Sequence, residues 1–484
     1  MTATTLVWCW MSELRRVDEV TWELPAGPGM HVPAQVFTDP EGLDALRDDH
    51  SLDQLRNVAA LPGVVDRVLA MPDVHQGYGF PVGGVCATAA PDGVISPGGV
   101  GYDINCGVRL LALPLTRDEL GARTEKLVDA ISRAVPAGAG RDGPLAVRGR
   151  QLDRILTDGA RALLEDHGLG TADDVAHTES EGALEGAEPG AVSARAKERG
   201  AGQLGTMGSG NHFVEVQHVD QVLDPDAAAA FGLREGQVTV LIHSGSRGLG
   251  HQVCSDAVRQ MDAALRRYAI ELPDRQLACA PVSSPEGRRY LAAMCAAANF
   301  AWANRSAIAH RVRDAVGRVA GPQAAQRTHQ VYDVAHNVAK LEVHGGREVW
   351  VHRKGATRAF PAGSADVPAA HREVGQAVFI PGSMGTSSFV LAGMPGSMQR
   401  SFGTTCHGAG RRLSRTAARK RIGGKELRRE LEQAGIVVRC PSDRGLAEEA
   451  PFAYKDVERV VSVVELAGLA RRVARLRPLG VVKG

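Results

Sequence analysis

Aromatic side chains are scarce in this chain of 484 residues, at 4% of the total. The formal net charge is only +1, which excludes a global field that attracts nucleic acid, so any such contact needs local basic patches. No apolar run approaches the roughly 18 residues of a membrane helix, and no membrane partner is expected. The apolar segment 5–11 lacks a preceding basic residue and a small-residue cleavage site, so we interpret it as an ordered or frayed N-terminus and not as a signal peptide.

The eight cysteines show no paired spacing of a disulfide framework or a zinc ribbon. Together with sixteen histidines, they favour a reducing compartment, and we expect a cytoplasmic protein. Length alone suggests roughly two to four domains, but the chain contains no internal repeat and no convincing linker. We therefore predict a single large α+β domain over residues 1–484, with an exposed excursion at about 169–200, where large apolar residues are few.

Hydrophobic periodicity predicts the elements that carry the polar motifs. Helices are predicted over 41–70, most of 117–168 and 286–320, and strands over 85–89, 108–113, 213–216, 238–242, 349–353 and 378–380. A loop-rich run at 71–84 contains two polar candidates, Asp73 and His75. Glycine-rich polar tracts at 205–212 and 243–251 adjoin predicted strands, where functional loops commonly lie.

The stretch 101–107 supplies a carboxylate and a thiol three residues apart, Asp103 and Cys106. A hard oxygen donor beside a soft sulfur donor suits a borderline divalent ion such as Mn²⁺, Zn²⁺ or Fe²⁺, and one sulfur can bridge two ions. The alternative is structural: Cys106 as a small buried hydrophobe and Asp103 as the cap of a turn.

Three histidines, His212, His243 and His336, lie in small-residue loops at predicted strand ends or turns. With Asp103 and Cys106 they make five potential ligands from four separate segments. No sequence spacing ties them together, so a metal site is a hypothesis about tertiary structure. Taken singly, each histidine is more often structural than a ligand.

A further histidine, His407, stands before Gly408 and Gly410 and a helix-compatible run at 411–422. The free N–H groups at a helix N-terminus suit a phosphate, and histidine can act as a covalent nucleophile. The segment 381–385 offers a second small-residue cradle, although it is not a Walker A loop.

Arginines recur at every fourth residue in the predicted helix, at Arg411, Arg415 and Arg419. They form either a solvated basic face or a track for the phosphates of a nucleic acid. The basic residues Arg247, Arg353, Lys354 and Arg358 in other loops would add to such a track. With few aromatic residues to stack bases, recognition should address the backbone and the terminus of the nucleic acid.

Along nearly its whole length the chain resembles the RtcB family of RNA ligases. The resemblance rests on the stretches MPDVHQGYGFPVGG, GVGYDINCGVRLL, LGTMGSGNHFVEV, HSGSRGLGHQV, NFAWANR, YDVAHN, VHRKGATRAFP, PGSMGTSSFV, GTTCHGAGRRLSR, AYKDV and LRPLGVVKG. It implies a single α+β domain with mixed sheets surrounded by helices and a deep metal-containing cleft, and an enzyme that uses GTP and two Mn²⁺ ions, with Zn²⁺ or Co²⁺ left open.

The resemblance also implies the roles of individual residues. Cys106 would bridge both ions, Asp103 and His212 would complete one site, His243 and His336 would complete the other, and His407 would become guanylated. The residues implied around the guanine nucleotide are Asn211, His212, Phe213, Val214, Glu215, His336, Asn337, Pro381, Gly382, Ser383, Met384, Ser388, His407, Gly408, Ala409, Gly410 and Lys455. The candidate RNA-binding residues are Arg247, Arg353, Arg411, Arg412 and Arg415.

The reaction implied is the joining of an RNA 2′,3′-cyclic phosphate or 3′-phosphate end to a 5′-hydroxyl end, through an RNA-3′-pp-5′-G intermediate. The partners would be tRNA halves or broken RNA, in tRNA splicing or RNA repair. Two alternatives are kept: a guanylyltransferase that caps or repairs 3′-phosphate ends without sealing them, and a non-catalytic RNA-binding protein on the same fold. The sequence leaves open the physiological RNA, the metal, the oligomeric state and the involvement of an archease-like activator.

Overall fold

The structure is a computed structural model that describes residues 13–47, 49–138 and 140–484. The apolar segment 5–11, interpreted above as an N-terminus without a signal peptide, lies outside the described residues. Two large β-sheets and two small ones are surrounded by helices, which confirms the predicted α+β class. Among the helices within these ranges, none combines the length and the apolar character needed to cross a membrane.

The strands are numbered in chain order. They are β1 (Arg15–Arg16), β2 (Thr21–Leu24), β3 (Ala34–Phe37), β4 (Val64–His75), β5 (Val82–Ala89), β6 (Val94–Ile95), β7 (Gly107–Thr116), β8 (Phe213–Val222), β9 (Gln237–Ser244), β10 (Ala280–Pro281), β11 (His329–Ala335), β12 (Asn337–His344), β13 (Arg347–Lys354), β14 (Ala356–Arg358), β15 (Ala377–Ile380), β16 (Ser388–Gly393), β17 (Thr404–Cys406), β18 (Val437–Arg439) and β19 (Ala470–Lys483).

The described α-helices are numbered in the same way. They are α1 (Pro40–Ala45), α2 (Ser51–Val58), α3 (Arg117–Leu120), α4 (Thr124–Ala134), α5 (Arg150–His167), α6 (Ala172–Ala176), α7 (Ala194–Gly200), α8 (Pro225–Ala230), α9 (Arg247–Arg267), α10 (Pro285–Ala320), α11 (Pro322–Gln326), α12 (Pro395–Arg400), α13 (Arg415–Arg421), α14 (Gly424–Gln433), α15 (Asp443–Glu448) and α16 (Val457–Leu466).

One large sheet has the strand order β1-β2-β3-β4-β5-β13-β12, and the other has the order β11-β7-β9-β8-β19-β16-β15, with β18 parallel to β19. The pairs β6–β10 and β14–β17 form the small sheets. Strands β7, β8 and β9 are antiparallel neighbours in the centre of the second large sheet. All eight residues of β9 are buried, so both faces of this strand are covered, including its polar residues Gln237, Thr239, His243 and Ser244.

The long helix α10 confirms the helix predicted over 286–320. Its N-terminus is fixed by Ser284, whose side chain accepts a hydrogen bond from the Gly287 amide, with Pro285 in the first turn. Many of its residues are alanines, which allow close approach to α5 and to the second large sheet. Ile308 and Val312 of this helix belong to the same hydrophobic core as β7 and β9. Asn304 and Arg305, four residues or fewer before Ile308, are fully buried on this helix.

Two of the predicted helical stretches are wrong in part. In place of the helix predicted over 41–70 there are two short helices, α1 and α2, and after Gly63, which has a φ of 70°, the chain enters β4. The valines of β4 favour a strand, and its pairing with β5 and β3 secures it. The prediction of mostly helix over 117–168 holds for α3, α4 and α5, but the described residues between α4 and α5, 135–138 and 140–149, are not helical.

The segment 169–200 is only partly exposed. It contains α6 and α7, and its acidic residues Asp174 and Glu179 are buried. Glu179 accepts hydrogen bonds from the Ala335 amide and from Lys340 Nζ. Electrostatic pairing with distant strands thus binds part of this segment to the body of the protein, which the low apolar content of the segment did not indicate.

Candidate metal and nucleotide site

The proposed metal ligands meet because four neighbouring strands of the second large sheet end at one edge. Neighbouring strands here are antiparallel, so the beginnings of β7 and β8 lie beside the ends of β9 and β11. Gly107 at the start of β7 pairs with Ser244 on one side and with Ala335 on the other. The residues placed at this edge are Cys106, His212, His243 and His336.

Two triads of potential ligands share the Cys106 thiol. One consists of Asp103, Cys106 and His212, and the other of Cys106, His243 and His336. Cys106 Sγ lies 3.3 Å from Nε2 of His212 and 3.3 Å from Nε2 of His243. Asp103 Oδ2 is 2.8 Å from His212 Nε2, and the Nε2 atoms of His243 and His336 are 3.3 Å apart. The structure therefore brings all five predicted ligands together, with the Cys106 sulfur common to both triads.

The ionisation of the cluster suits cation binding. Burial lowers the pKa of His243 and of His336 well below the ordinary value, so both imidazoles are neutral and keep a free lone pair. Burial opposes ionisation of Asp103, but His212 beside it holds the pKa of this carboxyl well below its usual range. Cys106 is the exception: burial, followed by the charge of Asp103, raises the pKa of its thiol well above the usual value, so the thiol must release its proton when a metal ion binds.

His212 has the tautomer expected of a metal ligand. Its Nδ1 lies 3.0 Å from the Met207 carbonyl oxygen, and because a carbonyl can only accept, Nδ1 carries the proton. Nε2 is then the ring nitrogen that faces Cys106 and Asp103 and that a metal ion would bind. One carboxylate, one thiol and three imidazoles form a donor set that fits borderline divalent ions, so the residues present could hold metal.

Gly245, directly after β9, permits the close approach of Asp103 to this cluster. A Cβ atom at position 245 would lie 2.5 Å from the Asp103 Cγ, a distance that side chains do not tolerate. A residue without a side chain is therefore required at position 245 for Asp103 to reach the cluster.

His407 lies beside the cluster and is paired with a buried carboxylate. It follows β17, and its ring centroid is 4.7 Å from that of His336. Nδ1 of His407 lies 2.5 Å from Oδ2 of Asp73, and the same oxygen accepts a hydrogen bond from the His407 amide at 3.1 Å. With Nδ1 directed at the carboxylate, Nε2 is the ring nitrogen available for reaction. Asp73, noted in the sequence only as a polar candidate, is thus a candidate functional residue whose partner the motifs alone did not indicate.

A cavity of about 440 Å³ opens onto the cluster and His407. Among the predicted residues, its walls include Asp103, Cys106, Asn211, Phe213, Glu215, His243, His336, Asn337, Pro381, Gly382, Ser383, Met384, His407, Gly408, Ala409, Gly410, Arg411 and Arg415. The predicted residues absent from its lining are His212, Val214, Arg247, Arg353, Ser388, Arg412 and Lys455. Ser388 lies close behind the wall, where its Oγ accepts a hydrogen bond from the Gly382 amide.

Lys455 lies outside the cavity lining, because its ammonium group makes hydrogen bonds elsewhere. Its Nζ donates to the carbonyl oxygens of Val74 (2.5 Å) and Pro72 (3.1 Å), on either side of Asp73. Lys483, which the sequence reasoning missed, lines the cavity instead. It pairs in register with Phe213 at the end of β19, and its Nζ lies 5.3 Å from the centroid of that ring. Only the strand register, which the sequence does not show, distinguishes the two lysines.

Glu215 is a buried acid of the cavity wall. Burial raises its pKa to about 8, although a hydrogen bond from Gln217 Nε2 at 2.6 Å and the charge of Lys483 act in the opposite direction. The carboxyl is therefore mostly protonated at neutral pH, and it can both donate and accept a hydrogen bond.

The helix predicted to start directly after His407 begins later. Helix α13 starts at Arg415 with Ser414 as its N-cap, so Gly408 and Gly410 do not stand at a helix N-terminus. The regular spacing of Arg411 with Arg415 consequently does not place them on one helical face. Instead, both side chains converge on one acid: Arg411 NH1 and Arg415 Nε lie 3.0 and 3.2 Å from the Glu449 carboxylate.

The other predicted RNA contacts differ in accessibility. Arg353 is buried and makes hydrogen bonds of 2.6 and 2.8 Å to the two carboxylate oxygens of Glu342, so RNA cannot reach its guanidinium. Arg247 donates from Nε to the Thr206 hydroxyl and lies largely inside the protein. Arg412 is exposed. Of the five predicted RNA contacts, Arg411 and Arg415 thus line the cavity, and Arg412 is exposed next to Arg411.

The fold and the site together define an α+β protein with a buried thiol, imidazole and carboxylate cluster that could hold metal, next to a histidine paired with a buried carboxylate. The family model described as tRNA-splicing ligase RtcB matches residues 54–484. The chain therefore belongs to the RtcB family, which confirms the resemblance noted in the sequence.

Relatives of high identity extend over almost the full length. The tRNA-splicing ligase RtcB of Thermococcus kodakarensis is 54% identical over 480 residues, which cover 98% of this chain and 99% of the relative. That of Archaeoglobus fulgidus is 52% identical over 478 residues, covering 97% and 99%. The RNA-splicing ligase RtcB of Mycobacterium tuberculosis is 53% identical over 438 residues, covering 89% of this chain and 100% of the relative.

Proposed function

We propose that this protein is a GTP-dependent RNA ligase that joins an RNA 3′-phosphate or 2′,3′-cyclic phosphate end to a 5′-hydroxyl end, with His407 as the nucleophile that takes up GMP. The observation that carries the proposal is the position of His407, between the Asp73 carboxylate and the metal-type cluster and on the wall of one cavity. A purely structural role for His407 would not explain why it contacts both the Asp73 carboxylate and the metal-type cluster.

Asp103, Cys106 and His212 would hold one ion, and Cys106, His243 and His336 would hold a second, with Mn²⁺ as the proposed metal. When bound, such ions supply positive charge that offsets the negative charge developing on a reacting phosphate. Asp73 Oδ2, 2.5 Å from His407 Nδ1, would accept a hydrogen bond from a protonated Nδ1, which would keep Nε2 unprotonated and directed for attack.

The cavity supplies a place for the nucleotide. Glu215 and Lys483 offer a hydrogen-bonding acid and a cation inside the protein, beside the ring of Phe213. The segments Pro381–Met384 and His407–Gly410 meet through the Ala409 amide, which donates to the Pro381 carbonyl oxygen at 3.2 Å. Their small residues leave the backbone open to a phosphate or a base.

The proposed reaction has balanced steps. Water first opens a cyclic phosphate to a 3′-phosphate. His407 Nε2 attacks the α-phosphorus of GTP, a P–N bond forms, and pyrophosphate leaves with the electrons of the broken P–O bond. An oxygen of the RNA 3′-phosphate then displaces the histidine from phosphorus. Finally, the 5′-hydroxyl attacks the RNA 3′-phosphorus, loses its proton, and expels GMP.

The names of the relatives support tRNA halves as one substrate class, and broken RNA carries the same ends. A cytoplasmic location is proposed because the seven described cysteines are all free, and an unpaired Cys106 is essential to the cluster. An archease-like activator is proposed as a further partner, and adding such a protein to the ligation reaction would test this proposal.

Guanylylation is tested with His407→Ala and α-labelled GTP in the presence of Mn²⁺. We expect the wild-type chain to acquire a GMP adduct, detected by label and by mass spectrometry, and His407→Ala to acquire none. His218→Ala is the matched control, because His218 is a buried histidine of β8 outside the cavity lining. Normal labelling of His407→Ala would remove His407 from the proposed role.

Sealing is tested separately with a 3′-phosphate RNA and a 5′-hydroxyl RNA. Ligated product supports the proposal. Accumulation of guanylated 3′ ends without ligated product would instead establish the capping alternative, and absence of any adduct together with RNA binding would point to a non-catalytic protein.

A further inference from the structure

Two polar residues in the middle of the apolar helix α10 are completely buried beneath the metal-type cluster. They are Asn304 and Arg305, which end the NFAWANR stretch, and neither has a place in the chemistry described above. Both side chains have their hydrogen bonds to protein groups. Burial of a guanidinium is costly unless its donors are satisfied, so the partners of Arg305 are informative.

Arg305 connects the backbone segments that carry the ligands. Its NH1 donates to the carbonyl oxygens of Asn105 (2.7 Å) and Ser244 (2.9 Å). Asn105 directly precedes Cys106, and Ser244 directly follows His243. Its Nε and NH2 bind the Asp333 carboxylate at 2.8 Å each, three residues before His336. One guanidinium thus joins the segments of three ligands that come from three different strands.

The segment before Cys106 needs such support. Asn105 has a φ of 52°, in the left-handed region, where asparagine is tolerated but not preferred. Its Oδ1 accepts a hydrogen bond from Arg305 NH2 at 3.2 Å, and its Nδ2 donates to the Ala298 carbonyl oxygen of α10 at 2.7 Å. The turn that directs the Cys106 thiol is therefore held mainly by the helix below it.

Asn304 extends the same connection toward His212. Its Nδ2 donates to the Thr206 carbonyl oxygen and to Ser244 Oγ, both at 3.1 Å, and its Oδ1 accepts from the Gly205 amide at 2.9 Å. Ser244 Oγ in turn donates to the Met207 carbonyl oxygen, the acceptor of His212 Nδ1. The loop that orients His212 is thereby linked to the end of β9.

We infer that Arg305 is a positioning residue, which holds Cys106 and His243 at coordinating distance before a metal ion binds. The inference rests on the proposed metal-binding function of the cluster. The planar fork of arginine is essential to this role, because a lysine in the same place carries the charge but cannot donate to Asn105, Ser244 and Asp333 at once. The metal would then bind a prepared site and would not have to order the loops.

Arg109 is a matched control within the same chain. It is also fully buried, and its Nε donates to the same Asp333 carboxylate at 2.7 Å. Its NH1 and NH2 have no hydrogen-bond partner among the described residues, so it does not hold the segments next to Cys106 and His243. Loss of either arginine removes a buried ion pair, but only loss of Arg305 releases the ligand segments.

The test compares Arg305→Lys with Arg109→Lys in the full chain, stripped of metal and titrated with Co²⁺ alone. The readouts are the dissociation constant, the bound metal per chain, and the thiolate-to-cobalt charge-transfer absorption. We expect Arg305→Lys to lose a factor of roughly 10 to 100 in affinity, as outer-shell changes do, together with most of the charge-transfer absorption. Arg109→Lys should keep the wild-type affinity and the charge-transfer absorption, even if its melting temperature falls as far as that of Arg305→Lys.

Wild-type affinity and absorption in Arg305→Lys would overturn the inference, and so would an equal loss in Arg109→Lys. If the wild-type chain itself binds no Co²⁺, the proposed metal function fails, and the inference falls with it. Asn105→Gly is a second variant, in case Arg305→Lys does not fold. Glycine accepts the left-handed φ, so this chain should fold and yet bind Co²⁺ more weakly, and unchanged binding in it would also overturn the inference.

Discussion

Asp73 and His407 form a carboxylate–imidazole pair whose chemistry depends on a single oxygen atom. Asp73 Oδ2 lies against the ring Nδ1 of His407 and accepts a hydrogen bond from the backbone amide of His407. Asp73→Asn keeps the shape and removes the negative charge, so the ring loses the charged acceptor that fixes its tautomer. We expect the rate of GMP adduct formation to fall by roughly 10² to 10⁴, measured by quench-flow with labelled GTP.

Metal content is the control for this variant, since Asp73 belongs to neither ligand triad. Bound metal should stay at the wild-type level in Asp73→Asn. A wild-type rate of adduct formation would show that the carboxylate does not orient the nucleophile.

Glu215 makes stability depend on pH in a defined direction. The unfolded chain releases this proton near the ordinary pKa of 4.5, whereas the folded chain keeps it up to about 8. Between these values the folded state binds more protons, so the free energy of unfolding falls as pH rises, by at most about 1.4 kcal/mol per pH unit. Glu215→Gln has no such proton, and its stability relative to wild type should increase from pH 5 to pH 7.5.

Urea denaturation of both chains across this pH range measures the difference, because other titrating groups contribute equally to the two. Parallel curves for wild type and Glu215→Gln would show that Glu215 is ionised in the folded protein.

At the residue level, the metal-type cluster was predictable because its side chains have the chemistry of metal ligands. Residues whose place in the site depends on packing were not predictable. A thiol, a carboxylate and histidines in small-residue loops indicate a metal cluster, and the structure brings these five residues together. Lys455 and Lys483 are chemically equal, and only the pairing of β19 with β8 places the second in the cavity. Asp73 needed the fold to bring it to His407, more than 300 positions away along the chain.

Among the secondary-structure elements, the turn from β9 into α9 is sensitive to the size of the side chain at position 245. Gly245 lies in this turn against Asp103, and its φ is not in the region reserved for glycine. Gly245→Ala should therefore fold but displace the carboxylate. We expect loss of one of the two proposed ions, measured as metal per chain after Mn²⁺ loading and gel filtration.

Gly27→Ala is the control, because a Cβ atom there meets nothing within 4 Å. Full metal content in Gly245→Ala would mean that Asp103 is not needed to retain its ion.

The wrong element predictions share one physical cause. Local composition favoured a continuous helix over 41–70 and a helix directly after Gly410, but tertiary contacts decided otherwise. Pairing with β3 and β5 draws residues 64–75 into a strand. Hydrogen bonds from the Arg411 side chain to Glu449 and Tyr454 keep the chain irregular until Ser414 caps α13. The helix at 286–320, whose alanine content agrees with its packing, was predictable from sequence alone.

For the molecule as a whole, the near-zero net charge means that RNA affinity must come from a few local cations. Arg412 is exposed next to Arg411, whereas Arg411 and Arg415 share Glu449. Arg412→Ala should weaken binding of single-stranded RNA and lower the slope of log K against log salt by about 0.7. Fluorescence anisotropy at several salt concentrations measures both quantities.

Arg259→Ala removes an equally exposed arginine outside the cavity lining and serves as the control. An unchanged salt slope in Arg412→Ala, or an equal change in both variants, would assign RNA binding to another surface.

The convergence of β7, β8, β9 and β11 at one sheet edge also sets an order of events during biosynthesis. The first ligand stands at position 103 and the last at position 336, so a nascent chain cannot complete the cluster until β11 has left the ribosome and joined the sheet. Metal acquisition is therefore a late event, and a truncated translation product that ends before His336 would be unable to assemble the second ion site.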